Sequence, residues 1–290
     1  MHWRVYLGLG LVSNLPTVWS NVLAGAVLSG GPIEAGALSA LLVALSLFYI
    51  GGMYLNDAFD REIDARERPE RPIASGQISA AKVFGIGYGM LAAAILILVV
   101  TAGRWSDRPG WPAVVSGLAL GAVIVYYDAR HKRDPLSPLW MGLCRVLIYV
   151  TVGLAVAGRI SAPLVGGALI LLSYLIGLTY VAKQETLAEY RNLWPLLFLF
   201  APFVYGFPTL GSGAGGALIY AGFLAWVGYA ISWLIRKGHI NIPRAVISFI
   251  AGISLLDALL IAGAGRTGIA LWGIAGFVLT LFFQRYVRGT

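Results

Sequence analysis

Four oxygen-bearing side chains recur at helical spacing directly after an apolar stretch. They are Asn56, Asp57, Asp60 and Asp64. If the apolar helix continues through them, Asp57, Asp60 and Asp64 fall at i, i+3 and i+7 on one face. Carboxylates gathered in this way repel one another unless a cation compensates their charge. Hard oxygen ligands suit Mg²⁺, which commonly bridges carboxylates to substrate phosphates.

A solvated helix end is the alternative interpretation of this stretch. In that case Asp57 and Asp60 pair with Arg61 and Arg66 and hold no metal. Aspartate and asparagine are poor helix formers, so their repeated use in register at the end of an apolar helix favours the functional interpretation. The predicted metal ligands here are Asn56, Asp57, Asp60 and Asp64.

A second pair of carboxylates, Glu185 and Glu189, follows the sixth apolar segment. Their i, i+4 spacing places both side chains on one face of a helical turn. Because Lys183 and Arg191 flank them, an ion-paired turn is the alternative. Taken alone, this stretch favours the ion-paired turn over a metal site.

Several polar residues stand inside apolar segments, among them Arg145, Asn14, Asn21 and Asp257. Asp257 could serve helix association alone, and it is not predicted as a site residue. Arg145 lies about seven residues into the fifth segment, where a charge usually faces an interior cavity or a partner. Snorkelling to the membrane surface is the alternative, because seven residues of helix rise only about 10 Å. Asn14 precedes Pro16 by two positions and either accompanies a kink or contacts substrate. We expect Arg145 and Asn14 to bind substrate.

Ten apolar segments must position these residues. Of the 290 residues, 59% are hydrophobic and 12% charged, whereas a soluble domain carries about 25% charged residues. A span in lipid must be helical, because each unsatisfied backbone group costs several kcal/mol. The segments cover residues 5–29, 36–55, 82–103, 112–127, 138–157, 162–182, 193–209, 215–235, 244–264 and 268–286. We predict an all-α polytopic membrane helical bundle that forms one integral-membrane domain over residues 1–290.

Charge is distributed unequally between the two sides of this bundle. Of the 21 Lys and Arg residues, 16 fall on one side, four on the other, and Arg145 inside a span. Cytoplasmic loops collect Lys and Arg, so both termini and the acidic loops are predicted to be cytoplasmic, in a protein integral to the cell membrane. The net charge of +8 is thereby explained without nucleic acid. The single cysteine, Cys144, excludes an internal disulfide.

The acidic stretch resembles the first motif of the UbiA superfamily of intramembrane prenyltransferases. That motif, Asn-Asp-x-x-Asp-x-x-x-Asp, stands complete at residues 56–64, and residues 71–79 are similar to the family's Arg-Pro-Leu-x-Ser-Gly-x-Ile-Ser segment. The resemblance implies a nine-helix core, here with a tenth C-terminal helix. It also implies Mg²⁺-dependent transfer of an isoprenyl group from a prenyl diphosphate to a small-molecule or lipid acceptor in the bilayer.

The resemblance also implies roles for single residues. Residues 127–132 look like the family's Tyr-Asp-x-x-x-Lys segment, whose lysine contacts the diphosphate and corresponds to Lys132. Glu185 and Glu189 stand where the family carries Asp-x-x-x-Asp, so the resemblance implies that both are metal ligands opposite the complete first motif. Together with the polar residues inside the spans, this predicts Asp60, Asp64, Lys132 and Arg145 as catalytic residues. The predicted substrate-binding residues are Asn14, Asn56, Arg71, Lys132 and Arg145.

Two other functions remain open from the sequence. A membrane transporter would carry charges at the membrane midplane, whereas most acids here lie at one face. A catalytically inactive UbiA-like lipid-binding protein would account for the Glu residues in the second motif. Mg²⁺-dependent release of diphosphate distinguishes the enzyme from both alternatives. The sequence does not identify the acceptor.

Overall fold

A series of helices builds the structure, a computed structural model that describes residues 3–104, 110–184, 194–235 and 240–287. The α-helices are α1 (Trp3–Leu9), α2 (Leu15–Ser29), α3 (Ala35–Glu67), α4 (Ala80–Thr101), α5 (Trp111–Arg130), α6 (Ser137–Ala157), α7 (Ala162–Lys183), α8 (Ala201–Gly206), α9 (Ala214–Ile235), α10 (Ile242–Gly263) and α11 (Thr267–Phe283). The described residues contain no strand, which confirms the all-α class.

Eight helical stretches among the described residues are long and apolar enough to cross a membrane. They are α3 to α7, the segment Trp194–Ser212, α9 and α10. The predicted tenth segment forms α11, a shorter apolar helix of 17 residues. These lengths confirm a polytopic helical bundle.

Helix α3 is the longest element and carries the acidic motif. Its 33 residues rise about 50 Å, whereas the hydrocarbon core of a bilayer is about 30 Å thick. One end of α3 therefore extends beyond the apolar layer. The helix runs through residues 56–64 without a break, so the predicted continuation through the acidic stretch is confirmed.

The first apolar segment is not one helix, and the prediction of a single helix over residues 5–29 is wrong in this respect. Helix α1 ends at Leu9, a 3₁₀ turn covers Val12–Asn14, and α2 begins at Leu15. Leu11 has a φ of 39°, a left-handed conformation that interrupts a helix of L-residues. Pro16 lies in the first turn of α2, where its missing N–H costs no helical hydrogen bond.

The seventh segment, predicted as a helix over residues 193–209, is likewise divided. Two 3₁₀ stretches, Trp194–Phe200 and Phe207–Ser212, flank the short helix α8. Pro195, Pro202 and Pro208 recur along this segment. Each proline lacks the N–H that a continuous α-helix requires, and this explains the irregular backbone.

Helix α10 lies at the centre of one half of the bundle. Every residue from Ala251 to Ala262 is buried, and α10 packs against α2, α7, α9 and α11. Helix α6 packs against α2, α5 and α7, while α3 packs chiefly against α4. The C-terminal helix α11 contacts α10 and α2, which places its last turn near the start of the chain.

Helices α3 and α4 touch backbone to backbone at two glycines. A Cβ added to Gly87 would lie 2.8 Å from the Leu55 side chain and 3.1 Å from the Gly51 carbonyl oxygen. A Cβ added to Gly51 would lie 3.0 Å from the Gly87 carbonyl oxygen. The pair therefore permits a close approach that no larger residue allows.

We expect Gly87→Ala to lower the free energy of unfolding by about 1–3 kcal/mol, because overpacking forces the two helices apart. The measurement is the unfolding midpoint in detergent. Gly85→Ala is the matched control, since a Cβ there meets nothing within 4 Å. A midpoint for Gly87→Ala at or above that of Gly85→Ala would contradict the close contact.

Candidate active site

The acidic residues lie on the last turns of α3. Asp60 and Asp64 are buried, with only 8% and 6% of their surface exposed, and Asp57 lies at the rim of a cavity. Because α3 is continuous here, Asp60 lies about one helical turn after Asp57, and Asp64 lies about one further turn after Asp60. The three carboxylates are therefore neighbours along one helix.

Arg71 compensates two of these carboxylates. The chain turns back after α3, and the Arg71 guanidinium donates a hydrogen bond to the Asp57 carboxylate. Its Nε lies 4.0 Å from Asp64 Oδ2. An arginine can contact two carboxylates because its planar guanidinium carries five donors. Arg61, in contrast, pairs with Glu62, so the pairing of Asp57 with Arg61 that a solvated helix end requires is not observed.

The loop after α5 brings a second basic group to α3. Lys132 Nζ lies 3.5 Å from Asp60 Oδ2, and His131 Nε2 lies 3.4 Å from the same oxygen. The structure therefore places Lys132 beside the first motif, across 72 residues of sequence. The sequence predicts no role for His131, because the three histidines show no ligand spacing. The one feature of the sequence that points to His131 is its position next to Lys132.

Asp128 is a further site residue that sequence reasoning missed. It is 3% exposed, and its Oδ1 accepts a hydrogen bond of 3.1 Å from Asn56 Nδ2. Within the described ranges, its Oδ2 is buried without a hydrogen-bond partner. A buried carboxylate oxygen that lacks a donor favours a cation or a donor from a ligand. Its place four residues before Lys132 could have indicated this role.

The donor set fits Mg²⁺ by its chemistry. All candidate ligands are hard oxygens. Asp128 is hydrogen-bonded to Asn56 of the acidic motif through Oδ1, and its Oδ2 has no hydrogen-bond partner among the described residues. Among the residues that the structure describes, no three His, Cys, Asp or Glu side chains are grouped closely enough to hold a metal ion by themselves. Mg²⁺ usually binds one or two carboxylates together with substrate phosphates and water, and this arrangement provides such carboxylates. Glu185 and Glu189 lie outside the described residues.

Arg145 belongs to a buried polar network deeper in the bundle. It is 6% exposed and donates to Asn21 Oδ1 at 2.8 Å and Thr17 Oγ1 at 3.0 Å. Its guanidinium also lies 5.4 Å from the centre of the Tyr49 ring. The snorkelling alternative is therefore wrong, because the side chain faces α2 and α3 inside the protein.

Asp257 completes this network from α10. It is fully buried and accepts hydrogen bonds from Ser20, Asn21 and Tyr149. Asn21 therefore bridges Asp257 and Arg145. An acidic residue inside a membrane span usually pairs with an interior partner. The burial expected of Asp257 is observed, and its contacts join α10 to α2 and α6.

Asn14 lies at the start of α2 and is 3% exposed. Its Oδ1 accepts a hydrogen bond of 2.9 Å from Gln284 Nε2, which joins the end of α11 to the break in the first apolar segment. The substrate contact expected of Asn14 stays a prediction, as do the substrate and catalytic roles of Arg145.

Sequence comparison places the chain in a family. The family model for UbiA prenyltransferases matches residues 15–253. The chain belongs to the UbiA prenyltransferase family. The match begins with α2 and ends within α10, so α1 and α11 lie outside it. Helix α11 therefore lies C-terminal to the residues that the family model matches.

Similar proteins support this placement. A digeranylgeranylglyceryl phosphate synthase of Methanopyrus kandleri is 31% identical over 162 residues, which are 50% of this chain and 59% of that protein. A protoheme IX farnesyltransferase of Koribacter versatilis is 28% identical over 125 residues, 42% of this chain and 37% of the relative. The aligned part of the chain spans between 41% and 59% of the lengths of the first three synthases compared.

Solved UbiA structures share the fold. A UbiA homolog from Aeropyrum pernix K1 superposes with a TM-score of 0.64 at 14% identity, covering 91% of this chain and 98% of that one. A UbiA homolog from Archaeoglobus fulgidus bound to GPP and Mg²⁺ gives 0.60 at 16% identity, covering 94% and 99%. The predicted UbiA-like architecture with an extra C-terminal helix is confirmed.

For this UbiA-family protein, we expect Arg145→Met to lower the unfolding midpoint in detergent. Breaking a buried charge network by removing one partner costs about 3–5 kcal/mol. Adding Asp257→Leu should recover part of the loss, because it removes the carboxylate left without a cation. Arg130→Met, which deletes an exposed guanidinium at the end of α5, is the control. Equal midpoints for Arg145→Met and Arg130→Met would show that the network contributes no stability.

Proposed function

We propose that this membrane protein transfers an isoprenyl group from a prenyl diphosphate to an acceptor within the bilayer, with Mg²⁺ as cofactor. One observation carries the proposal: the buried Asp60 of the acidic motif on α3 contacts His131 and Lys132 of the loop after α5. Carboxylates and cations packed at one helix end provide both metal ligands and diphosphate contacts. A transporter or a passive lipid-binding protein requires neither.

The proposed metal ligands are the oxygens of the two acidic motifs. They are Asn56, Asp57, Asp60, Asp64, Glu185 and Glu189. Mg²⁺ held there neutralises charge on a diphosphate and so improves it as a leaving group. Asp57 pairs with Arg71 and Asp60 with Lys132. These carboxylates therefore lie where positive charge collects, and this supports the assignment.

The basic side chains bind the diphosphate in this proposal. Lys132, His131 and Arg71 lie against the motif carboxylates, within reach of an anion that binds there. The positive charges of Lys132 and Arg71 stabilise the negative charge that grows on the leaving oxygen. Lysine acts as a point charge, whereas the Arg71 guanidinium can hold two phosphate oxygens at once.

The reaction then proceeds by cleavage of the carbon–oxygen bond to the diphosphate. Both bonding electrons leave with the diphosphate, and the allylic carbon becomes cationic. Water must be kept away from that carbon, and the apolar helices around the site supply such walls. The acceptor forms the new bond to the same carbon and loses a proton, so the products are the prenylated acceptor, diphosphate and a proton.

The relatives support a prenyl diphosphate donor. The Methanopyrus kandleri relative is a digeranylgeranylglyceryl phosphate synthase, and the Archaeoglobus fulgidus homolog binds GPP with Mg²⁺. We carry over the donor class to this chain.

We also propose that the acidic end of the bundle faces the cytoplasm. The excess of Lys and Arg in the loops at this end supports that orientation. The exposed turn after α3, with Gln77, belongs to this end, and Glu34 between α2 and α3 belongs to the other.

For the reaction, we expect Asp60→Ala to reduce turnover about 100-fold or more, since it removes charge stabilisation at the leaving group. The assay measures diphosphate release from geranyl diphosphate and Mg²⁺ in reconstituted vesicles, with a membrane extract as the source of acceptor. Glu62→Gln, a side chain 77% exposed on the same helix, is the matched control. Asp60→Asn, which keeps the shape, guards against misfolding. Turnover like wild type in the Asp60 variants would refute the assignment.

Orientation is tested with single cysteines in a Cys144→Ala background. We expect a membrane-impermeant maleimide to label Gln77→Cys in inverted vesicles only, and Glu34→Cys in right-side-out vesicles only. The two residues are exposed, so reagent access depends on the side of the membrane. The reverse pattern would show that the acidic end faces outward.

A further inference from the structure

Helix α3 lies beside α5 and the loop that follows it, and their contacts repeat at one spacing. Three pairs of residues, each 72 positions apart, face one another here: Gly52 and Ile124, Asn56 and Asp128, and Asp60 and Lys132. Each pair follows the previous one by four residues, or about one helical turn. Asp128 therefore lies between the close packing at Gly52 and the ion pair at Asp60, and it faces the first residue of the acidic motif.

The hydrogen bond to Asp128 decides which way the Asn56 amide points. A carboxylate can only accept hydrogen bonds, whereas a side-chain amide has one donating and one accepting end. Asn56 therefore presents Nδ2 to Asp128 Oδ1, at 3.1 Å, and its own Oδ1 is left for another partner. Because a hard cation binds the oxygen of an amide, Asp128 keeps the ligand atom of Asn56 available.

The second oxygen of Asp128 is costly to bury. Asp128 is 3% exposed, and its Oδ2 has no hydrogen-bond partner among the residues that the structure describes. A buried charge without a partner costs free energy. If Asp128 only accepted a hydrogen bond from Asn56, a neutral amide would serve at a lower cost. A carboxylate at this position therefore indicates that Oδ2 also has a task.

We propose that Asp128 is a positioning residue of the Mg²⁺ site and acts on the metal through both of its oxygens without binding it. Oδ1 orients Asn56 as a ligand. Oδ2 accepts a hydrogen bond from a water molecule on Mg²⁺, since Mg²⁺ keeps several waters when it binds carboxylates and phosphates. Partners of this kind, one step out from the ligands, typically contribute about 10- to 100-fold to metal affinity. The inference rests on the proposed function for the presence of Mg²⁺.

The first experiment measures binding of radiolabelled geranyl thiolodiphosphate to the full-length protein in zwitterionic nanodiscs while the Mg²⁺ concentration is varied. Sulfur replaces the oxygen between carbon and diphosphate in this probe, so it resists cleavage and no turnover is needed. We expect Asp128→Asn to raise the Mg²⁺ concentration for half-maximal binding about 10- to 100-fold. If the new amide accepts from Asn56, its NH₂ group replaces Oδ2, and that group cannot accept a hydrogen bond from water.

Glu62→Gln is the matched control, because it removes the same charge from a side chain of α3 that is 77% exposed. We expect its Mg²⁺ requirement to equal that of wild type. Equal shifts in Asp128→Asn and Glu62→Gln would overturn the inference, since they would show a general effect of lost negative charge.

Exchanging the two side chains tests their pairing directly. In the double variant Asn56→Asp with Asp128→Asn, the new amide donates to the new carboxylate and keeps its own oxygen for the water molecule. We expect its half-maximal Mg²⁺ concentration to return to within about threefold of wild type, because the two changes are coupled. Asn56→Asp alone should weaken Mg²⁺-dependent binding, since it sets two carboxylates against each other. A double variant no better than Asp128→Asn would contradict the paired role.

A purely structural role for Asp128 predicts a different outcome. The unfolding midpoint in detergent without Mg²⁺ should not fall in Asp128→Asn, because a neutral group of the same shape replaces a buried charge. A lower midpoint together with an unchanged Mg²⁺ requirement would show that Asp128 only stabilises the contact between α3 and α5.

The same measurements separate this inference from the proposed function. If wild-type protein binds the probe equally well with and without Mg²⁺, the proposed metal-dependent reaction is wrong and the role of Asp128 fails with it. If wild-type binding requires Mg²⁺ and Asp128→Asn has the same requirement, the role of Asp128 is wrong and the proposed function stands.

Discussion

Carboxylates crowded on one helix face need cations opposite them, and this requirement organises the acidic end of the bundle. Arg71 meets Asp57 from the turn that follows α3, while His131 and Lys132 meet Asp60 from the loop that follows α5. Because charges inside or near a low-dielectric bundle interact strongly, these ion pairs fix how the two connections approach each other. Arg71 and Lys132 are also the two cations that we propose bind the diphosphate.

Buried charges inside the membrane-spanning part of the bundle also need partners. Arg145 and Asp257 lie on α6 and α10, and Asn21 of α2 hydrogen-bonds both. Charges at such depth are tolerated only with interior partners, so the three helices must meet at this height. The network thereby positions α2, the helix with which the family match begins. This helix follows directly after the break in the chain at Leu11.

Sequence alone carried the features that depend on local spacing. The continuation of α3 through the acidic motif follows from residues three and four apart, and the apolar spans follow from composition. Features that depend on distant partners were not accessible: Asp128 meets Asn56 across 72 residues, and Asp257 meets Asn21 across 236. The kink considered at Asn14 and Pro16 is present as a full break between α1 and α2. Its extent was not predicted, because an apolar run does not reveal a left-handed residue such as Leu11.

The division between family core and added segments has a chemical reason. A prenyl diphosphate requires carboxylates and cations whatever the acceptor is, so the residues that meet it can lie in the shared core, on α3 and the loop after α5. Selection of the acceptor requires contacts that differ between proteins. Helix α11 packs against α2 and α10 and follows the residues that the family model matches, so this helix can vary without moving the motif carboxylates of α3.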